Sequence, residues 1–101
     1  MTRPSPRRRS RKQTGPLSAF GTSVARRRHS LGLTQLDLAD LADVGISSVR
    51  TLESGNLSPT LAITLRILNA LGLTLVSVPH ADARSLGSGA TELHSTDAGP
   101  R

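Results

Sequence analysis

The sequence has 101 residues, with 13 lysines and arginines against seven aspartates and glutamates, which gives a formal net charge of +6. A chain of this length supports one small domain and leaves little room for a deep catalytic cleft. The absence of cysteine excludes disulfides and thiolate metal sites, and the three histidines lack the spacing of metal ligands. With no apolar run of membrane-spanning length and no secretory leader, we expect a cytoplasmic protein without a metal or cofactor.

The positive charge is concentrated at the N-terminus. Residues 1–16 hold six basic residues, no acidic residue and three prolines, whereas residues 17–78 hold five basic and four acidic residues. Because almost nothing apolar is available for burial, residues 1–16 are predicted to form a disordered basic arm. Residues 80–101 are rich in glycine, serine, threonine and alanine, and are predicted to form a flexible tail.

Apolar spacing predicts two helices at the start of the domain, which we place at 17–72. Leu17, Phe20, Val24 and Leu31 share one face of a first helix that ends near Gly32. A second helix, at 35–42 and capped by Thr34, presents a broad surface for burial. The members of that surface are Leu36, Leu38, Ala39, Leu41 and Ala42.

A short turn at 43–45 separates the second helix from a third. It contains a residue able to take unusual dihedral angles, Gly45. Val49 and Leu52 lie three positions apart and indicate the third helix, which is expected to stop at 55–56.

A fourth helix and one strand complete the predicted domain. The helix has a cap-and-proline start at 58–60 and ends at Gly72, and its apolar surface is too wide for a single contact. A run of β-formers then predicts a strand, whose simplest partner is the same strand of a second copy because no other strand candidate exists. The strand residues are Leu73, Thr74, Leu75, Val76, Ser77 and Val78.

A motif runs through the second and third helices. Its residues are Gly32-Leu33-Thr34-Gln35, Leu38-Ala39, Val44, Val49, Leu52, Glu53 and Gly55. With these residues the sequence resembles the helix-turn-helix of the Cro/CI (Xre) family of repressors over about 24–73. The resemblance implies an all-α, four- to five-helix lambda-repressor-like bundle, with its helix-turn-helix at about 34–54. One short C-terminal β-strand, at 73–79, would follow and pair across a dimer.

Matched position by position, the resemblance also implies a DNA-binding site. Thr34 and Gln35 would contact phosphate at a helix N-terminus, and Arg50 is the strongest candidate for an energetic contact from the recognition helix. Ile46 either meets a thymine methyl group or packs locally. The implied DNA-binding residues are Thr34, Gln35, Ile46, Ser47, Ser48, Arg50, Thr51 and Asn56.

Arg28 and Glu53 match a structural ion pair of the family, which would join the first helix to the end of the recognition helix. Two positions depart from the family pattern. Arg27 replaces an aliphatic residue and is expected to bury its stem while its charged head stays in water. Gly45 replaces the usual serine or threonine cap of the recognition helix, at a cost of only tenths of a kcal/mol.

A compact domain followed by one strand and a tail resembles the HipB-type antitoxins within this family. The implied protein is an autoregulating, cytoplasmic and nucleoid-associated repressor, whose partners are a double-stranded DNA operator, a second copy in a homodimer and a HipA-like serine/threonine kinase toxin, with no membrane. A free-standing Xre-family regulator is the alternative. A basic RNA-binding or structural module is disfavoured, because Phe20 is the only aromatic residue. An enzyme is not expected, since no nucleophile, base and orienting group recur at a useful spacing.

Overall fold

The structure is a computed structural model that describes residues 17–56, 58–87, 89–91 and 93. Within these residues the chain is all-helical, and no strand is present. The elements are α1 (Ser18–Ser30), α2 (Gln35–Ala42), α3 (Ile46–Glu53), α4 (Leu61–Ala70) and a 3₁₀ helix at His80–Leu86. The predicted helical bundle is confirmed, whereas the predicted arm at 1–16 lies outside the described residues.

The four α-helices enclose one apolar core. α2 packs against α3 and α4, and α1 packs against α3. Each of these four helices contributes side chains that are buried because apolar residues recur on its inner face. The core consists of Phe20, Val24, Leu38, Ala39, Ala42, Val49, Leu52, Ile67, Leu68 and Leu71.

Three leucines that were predicted to be buried are exposed, so the predicted apolar faces were too broad. They are Leu31, Leu36 and Leu41, which are 45%, 56% and 63% exposed. On α1 the buried stripe continues from Val24 to Arg28 instead, four positions further on, and the arginine is only 7% exposed. On the short α2, only the face that carries Leu38 and Ala42 meets the core.

The bounds of α2 and the turn at 43–45 are as predicted, and Gly45, with φ −71°, is the N-cap of α3 as expected. The residue that takes the left-handed conformation after α2 differs from the prediction: it is Asp43, with φ 58° and ψ 51°, and not Gly45. The cap of α4 is Thr60, whose hydroxyl accepts a hydrogen bond from the Ile63 amide at 3.1 Å, so Pro59 precedes the cap and does not follow it.

Residues 73–79 carry neither helix nor strand in the single chain. Leu75, Val76 and Val78 are 41%, 60% and 37% exposed, although they are apolar. Since a strand needs a neighbour to complete its hydrogen-bond ladder, pairing with a second copy stays a prediction. The 3₁₀ helix follows directly within the predicted tail, and none of its residues is buried.

Candidate nucleic-acid interface

The N-terminus of α2 is closed by a reciprocal capping box. The Asp37 amide donates to Thr34 Oγ1 at 3.0 Å, and the Thr34 amide donates to Asp37 Oδ2 at 2.9 Å. The bond from the Thr34 amide, and then the one from its hydroxyl, lower the pKa of the Asp37 carboxyl. Thr34 was the predicted cap, but Asp37 was not predicted to take part, although a threonine followed by an acid three positions later indicates a capping box.

A buried ion pair joins α1 to the end of α3. Arg28 Nε donates to Glu53 Oε2 at 2.7 Å, and Arg28 Nη2 donates to Glu53 Oε1 at 3.0 Å. The two residues are only 7% and 6% exposed, so each charge depends on the other for compensation. Arg28 Nη1 also donates to the Leu33 carbonyl at 2.9 Å, one residue before the cap of α2. The arginine therefore binds to α3 and to the segment that leads into α2.

Gln35 extends this buried cluster to the surface. Its Nε2 donates to Glu53 Oε1 at 3.0 Å, so one carboxylate oxygen accepts from both Arg28 and Gln35. The glutamine is half-buried, and Thr34 beside it is exposed. The candidate phosphate-binding end of α2 is thus connected by hydrogen bonds to the last residue of α3.

The outer face of α3 carries polar side chains that are available to a ligand. Ser47, Arg50 and Thr51 are spaced i, i+3 and i+4 and share one face, on which Ser47 and Arg50 are exposed and Thr51 is half-exposed. Within the part of the chain that the structure describes, no hydrogen bond or ion pair engages the Arg50 guanidinium. Hydroxyl and guanidinium groups in this arrangement can bind phosphate oxygens or base edges.

The three remaining site residues lie at the margins of that face. Ile46 is half-buried and packs against the core, which favours the local packing of the two alternatives. Ser48 is half-buried. Asn56 is exposed just beyond α3, where its Nδ2 donates to Ser54 Oγ at 3.0 Å.

The family model for a helix-turn-helix domain matches residues 19–81, which include all four α-helices except the first residue of α1. The chain belongs to the helix-turn-helix domain family. A search of curated proteins found no match. Membership of this family indicates an Xre-like helix-turn-helix DNA-binding protein, and such proteins are typically non-enzymatic.

Two negative observations concern the described part of this helix-turn-helix protein. None of its helices there combines the length and apolar character that a membrane crossing requires. No group of three or more histidine, cysteine, aspartate or glutamate side chains is placed there to hold a metal ion.

Two glycines that the sequence did not reveal as contact residues hold α3 of the helix-turn-helix protein against α1. A Cβ atom on Gly21 would lie 2.4 Å from the Glu53 carbonyl oxygen and 2.7 Å from that of Leu52. A Cβ atom on Gly55, where φ is +87°, would lie 2.6 Å from Ser18 Cα. Gly21 itself could have indicated this contact. A glycine inside a helix lowers helix stability by about 1 kcal/mol relative to alanine, so its presence there suggests that close packing requires it.

Two arginines cap helix C-termini around the helix-turn-helix. Arg27 Nε donates to the Leu71 carbonyl at 2.9 Å while the residue stays exposed, so its head contacts the end of α4 at the surface. Arg66 Nη1 donates to the Asp43 carbonyl at 3.2 Å and ties α4 to the turn between α2 and α3. In both places a cation meets carbonyls at the negative end of a helix dipole.

Proposed function

We propose that the protein is a sequence-specific, double-stranded DNA-binding transcriptional repressor that docks α3 into the major groove as a homodimer. The observation that carries the proposal is the outer face of α3. Ser47, Arg50 and Thr51 are accessible there, while the only acidic residue of the helix, Glu53, is buried and paired. A polar face without exposed negative charge suits a DNA groove.

The proposed contacts come from the N-terminus of α2, from α3 and its end, and from the basic residues at 1–16. Thr34 and Gln35 bind phosphate at the N-terminus of α2 and set the docking register. Arg50 donates to a guanine edge or to a phosphate, and the serine and threonine hydroxyls of α3 add hydrogen bonds. Ser48 and Asn56 contact the sugar-phosphate backbone, and Ile46 positions α3 mainly through packing. The six cations of residues 1–16 neutralise further phosphates and steepen the dependence on salt.

The homodimer is proposed to form through residues 73–79. The exposed apolar side chains of Leu75, Val76 and Val78 support it, because they are β-formers left without cover in one chain. Proline at Val76 would remove a ladder donor if that amide points to the partner. We expect Val76→Pro to sediment as a monomer, and an unchanged dimer would contradict strand pairing.

We further propose a HipB-type role, in which the protein represses its own operon and binds a HipA-like serine/threonine kinase toxin. Support comes from the likeness in layout: a compact domain, an apolar segment and a tail. A free-standing Xre-family regulator is the competing candidate. Co-purification of a kinase encoded beside the gene distinguishes the two, since only the antitoxin would retain it at stoichiometric amounts. RNA stacking is disfavoured, because the single aromatic residue of the sequence, Phe20, is buried.

The first test is a binding titration against the DNA upstream of the protein's own gene, at two salt concentrations, with unrelated duplex and single-stranded RNA as competitors. We expect selective binding that survives both competitors. Arg50→Ala should lose about 1–3 kcal/mol of binding free energy and relax specificity. Arg84→Ala removes the same charge from an exposed position of the 3₁₀ helix and serves as the control. Equal binding of all polyanions would refute the proposed function.

A further inference from the structure

We propose that Glu53 is a positioning residue for DNA binding, which holds the Gln35 amide in the orientation that phosphate requires. The inference rests on the proposed function and assigns a task to a buried group that itself cannot reach DNA. It follows from one shared atom: Glu53 Oε1 accepts from Arg28 Nη2 and from Gln35 Nε2, each at 3.0 Å.

The carboxylate is itself held in place. Both of its oxygens accept from the Arg28 guanidinium, in the two-bond geometry that fixes a carboxylate in orientation as well as distance. The same guanidinium holds the Leu33 carbonyl at 2.9 Å. Glu53 and the backbone that leads into α2 are therefore anchored to one planar group, and Gln35 is bound to a fixed acceptor.

The chemistry of the amide decides what Gln35 then offers. A glutamine amide nitrogen carries two N–H groups, and a phosphate oxygen only accepts. One N–H donates to Glu53, which leaves the second for phosphate. A glutamine without this partner would have to be ordered when DNA binds, which weakens binding by up to about tenfold. The buried carboxylate thus prepares a surface contact before the duplex arrives.

This role extends the family's structural ion pair. An ion pair that only stabilised the fold would need Arg28 and Glu53, but it would have no effect on binding through Gln35. The two roles differ in their dependence on Gln35, so a double-mutant cycle separates them.

The cycle comprises Glu53→Met, which removes the acceptor oxygens, Gln35→Met and the double variant, each titrated with the operator at several salt concentrations. We expect each single variant to bind about five- to tenfold more weakly, as loss of one hydrogen bond implies, and the double variant to bind no more weakly than Gln35→Met. The salt slope should not change, because Gln35 is neutral and releases no counterion. An undiminished effect of Glu53→Met in the Gln35→Met background would overturn the proposal.

A second measurement needs no substitution of Glu53, which guards against loss of folding. Gln35→Met identifies the side-chain amide signals of Gln35 in the nuclear magnetic resonance spectrum of the unaltered, DNA-free protein. We expect two well-separated proton signals, of which one exchanges slowly with water. Two closely spaced, rapidly exchanging signals would overturn the proposal. If the unaltered protein shows no operator selectivity, the proposed function fails; if it is selective and the cycle is additive, only the role of Glu53 fails.

Discussion

Replacing Gly21 by alanine tests whether α1 and the recognition helix are held in backbone contact. The new Cβ would lie 2.4 Å from the Glu53 carbonyl oxygen, 2.7 Å from the Leu52 carbonyl oxygen and 2.8 Å from the Glu53 carbonyl carbon. All three are backbone atoms, so no side chain can rotate to make room. α1 must move away from the end of α3 or distort.

Two opposing effects set the magnitude. Alanine is the better helix former, and in an open position it would stabilise the protein by about 1 kcal/mol. Overpacking against a tight neighbour costs about 1–3 kcal/mol, and more where the backbone must shift. With three overlaps the second effect dominates, and we expect Gly21→Ala to lower the free energy of unfolding by about 2 kcal/mol. For a domain of this size, that corresponds to a fall in Tm of about 10 °C.

Thermal unfolding followed by circular dichroism measures the shift. Gly45→Ala is the matched control, because its Cβ would meet only Ser47 Oγ, at 3.8 Å, and φ there is an ordinary −71°. The free energy of unfolding of Gly45→Ala should stay within about 1 kcal/mol of that of the unaltered protein. A Gly21→Ala variant as stable as the unaltered protein, or more stable, would refute the close approach of α1 and α3.

Substitutions at three further positions test the charges and the turn. Arg28→Met leaves the Glu53 carboxylate buried without its cation and should cost about 3 kcal/mol in urea denaturation, whereas a loss below about 1 kcal/mol would contradict the buried pair. Asp43→Gly relieves a left-handed backbone and should raise stability by up to about 1 kcal/mol, while Asp43→Val should lower it; the opposite order would disprove the strain. Because the pKa of Asp37 is lowered in the folded state, its carboxylate adds stability above the unfolded value of about 3.9, and this is lost as the pH falls through the folded pKa. The decrease in Tm on acidification should therefore be smaller in Asp37→Asn, and an identical decrease would count against the capping box.

The positions of the four α-helices could be predicted because buried apolar residues recur along each of them with the helical period. Residues such as Val24, Leu38, Val49 and Ile67 are fully buried, and each lies in an apolar stripe of helical period. The strand at 73–79 stays a prediction, because the described residues of one chain form no strand there and the proposed hydrogen bonds would join two copies.

The buried charged residues could not be predicted from the spacing of apolar residues. Arg28 occupies the position on α1 where the pattern placed an apolar face, since a count of apolar residues treats every arginine as exposed. Its partner Glu53 is 25 residues away in sequence, and only the likeness to a family paired the two. The contact between Gln35 and Glu53 had no signal in the sequence, because a hydrogen bond between distant side chains leaves no periodic trace.

Predictions of caps and turns from local sequence failed where two nearby residues could both fill the same structural position. Ser58 and Thr60 both stand beside Pro59 and can both cap a helix, and the structure uses Thr60. Gly45 was the expected residue for left-handed dihedral angles, but the turn adopts these angles two positions earlier. Asp43 takes them, at a smaller steric cost than most non-glycine residues would have.

The amide of Leu17, the residue before α1, donates to the carbonyl of Gly55 at 2.9 Å. This hydrogen bond joins the start of α1 to the chain that leaves α3. The start of α1 and the chain that leaves α3 are therefore held together, so a substitution that displaces one of them also displaces the other.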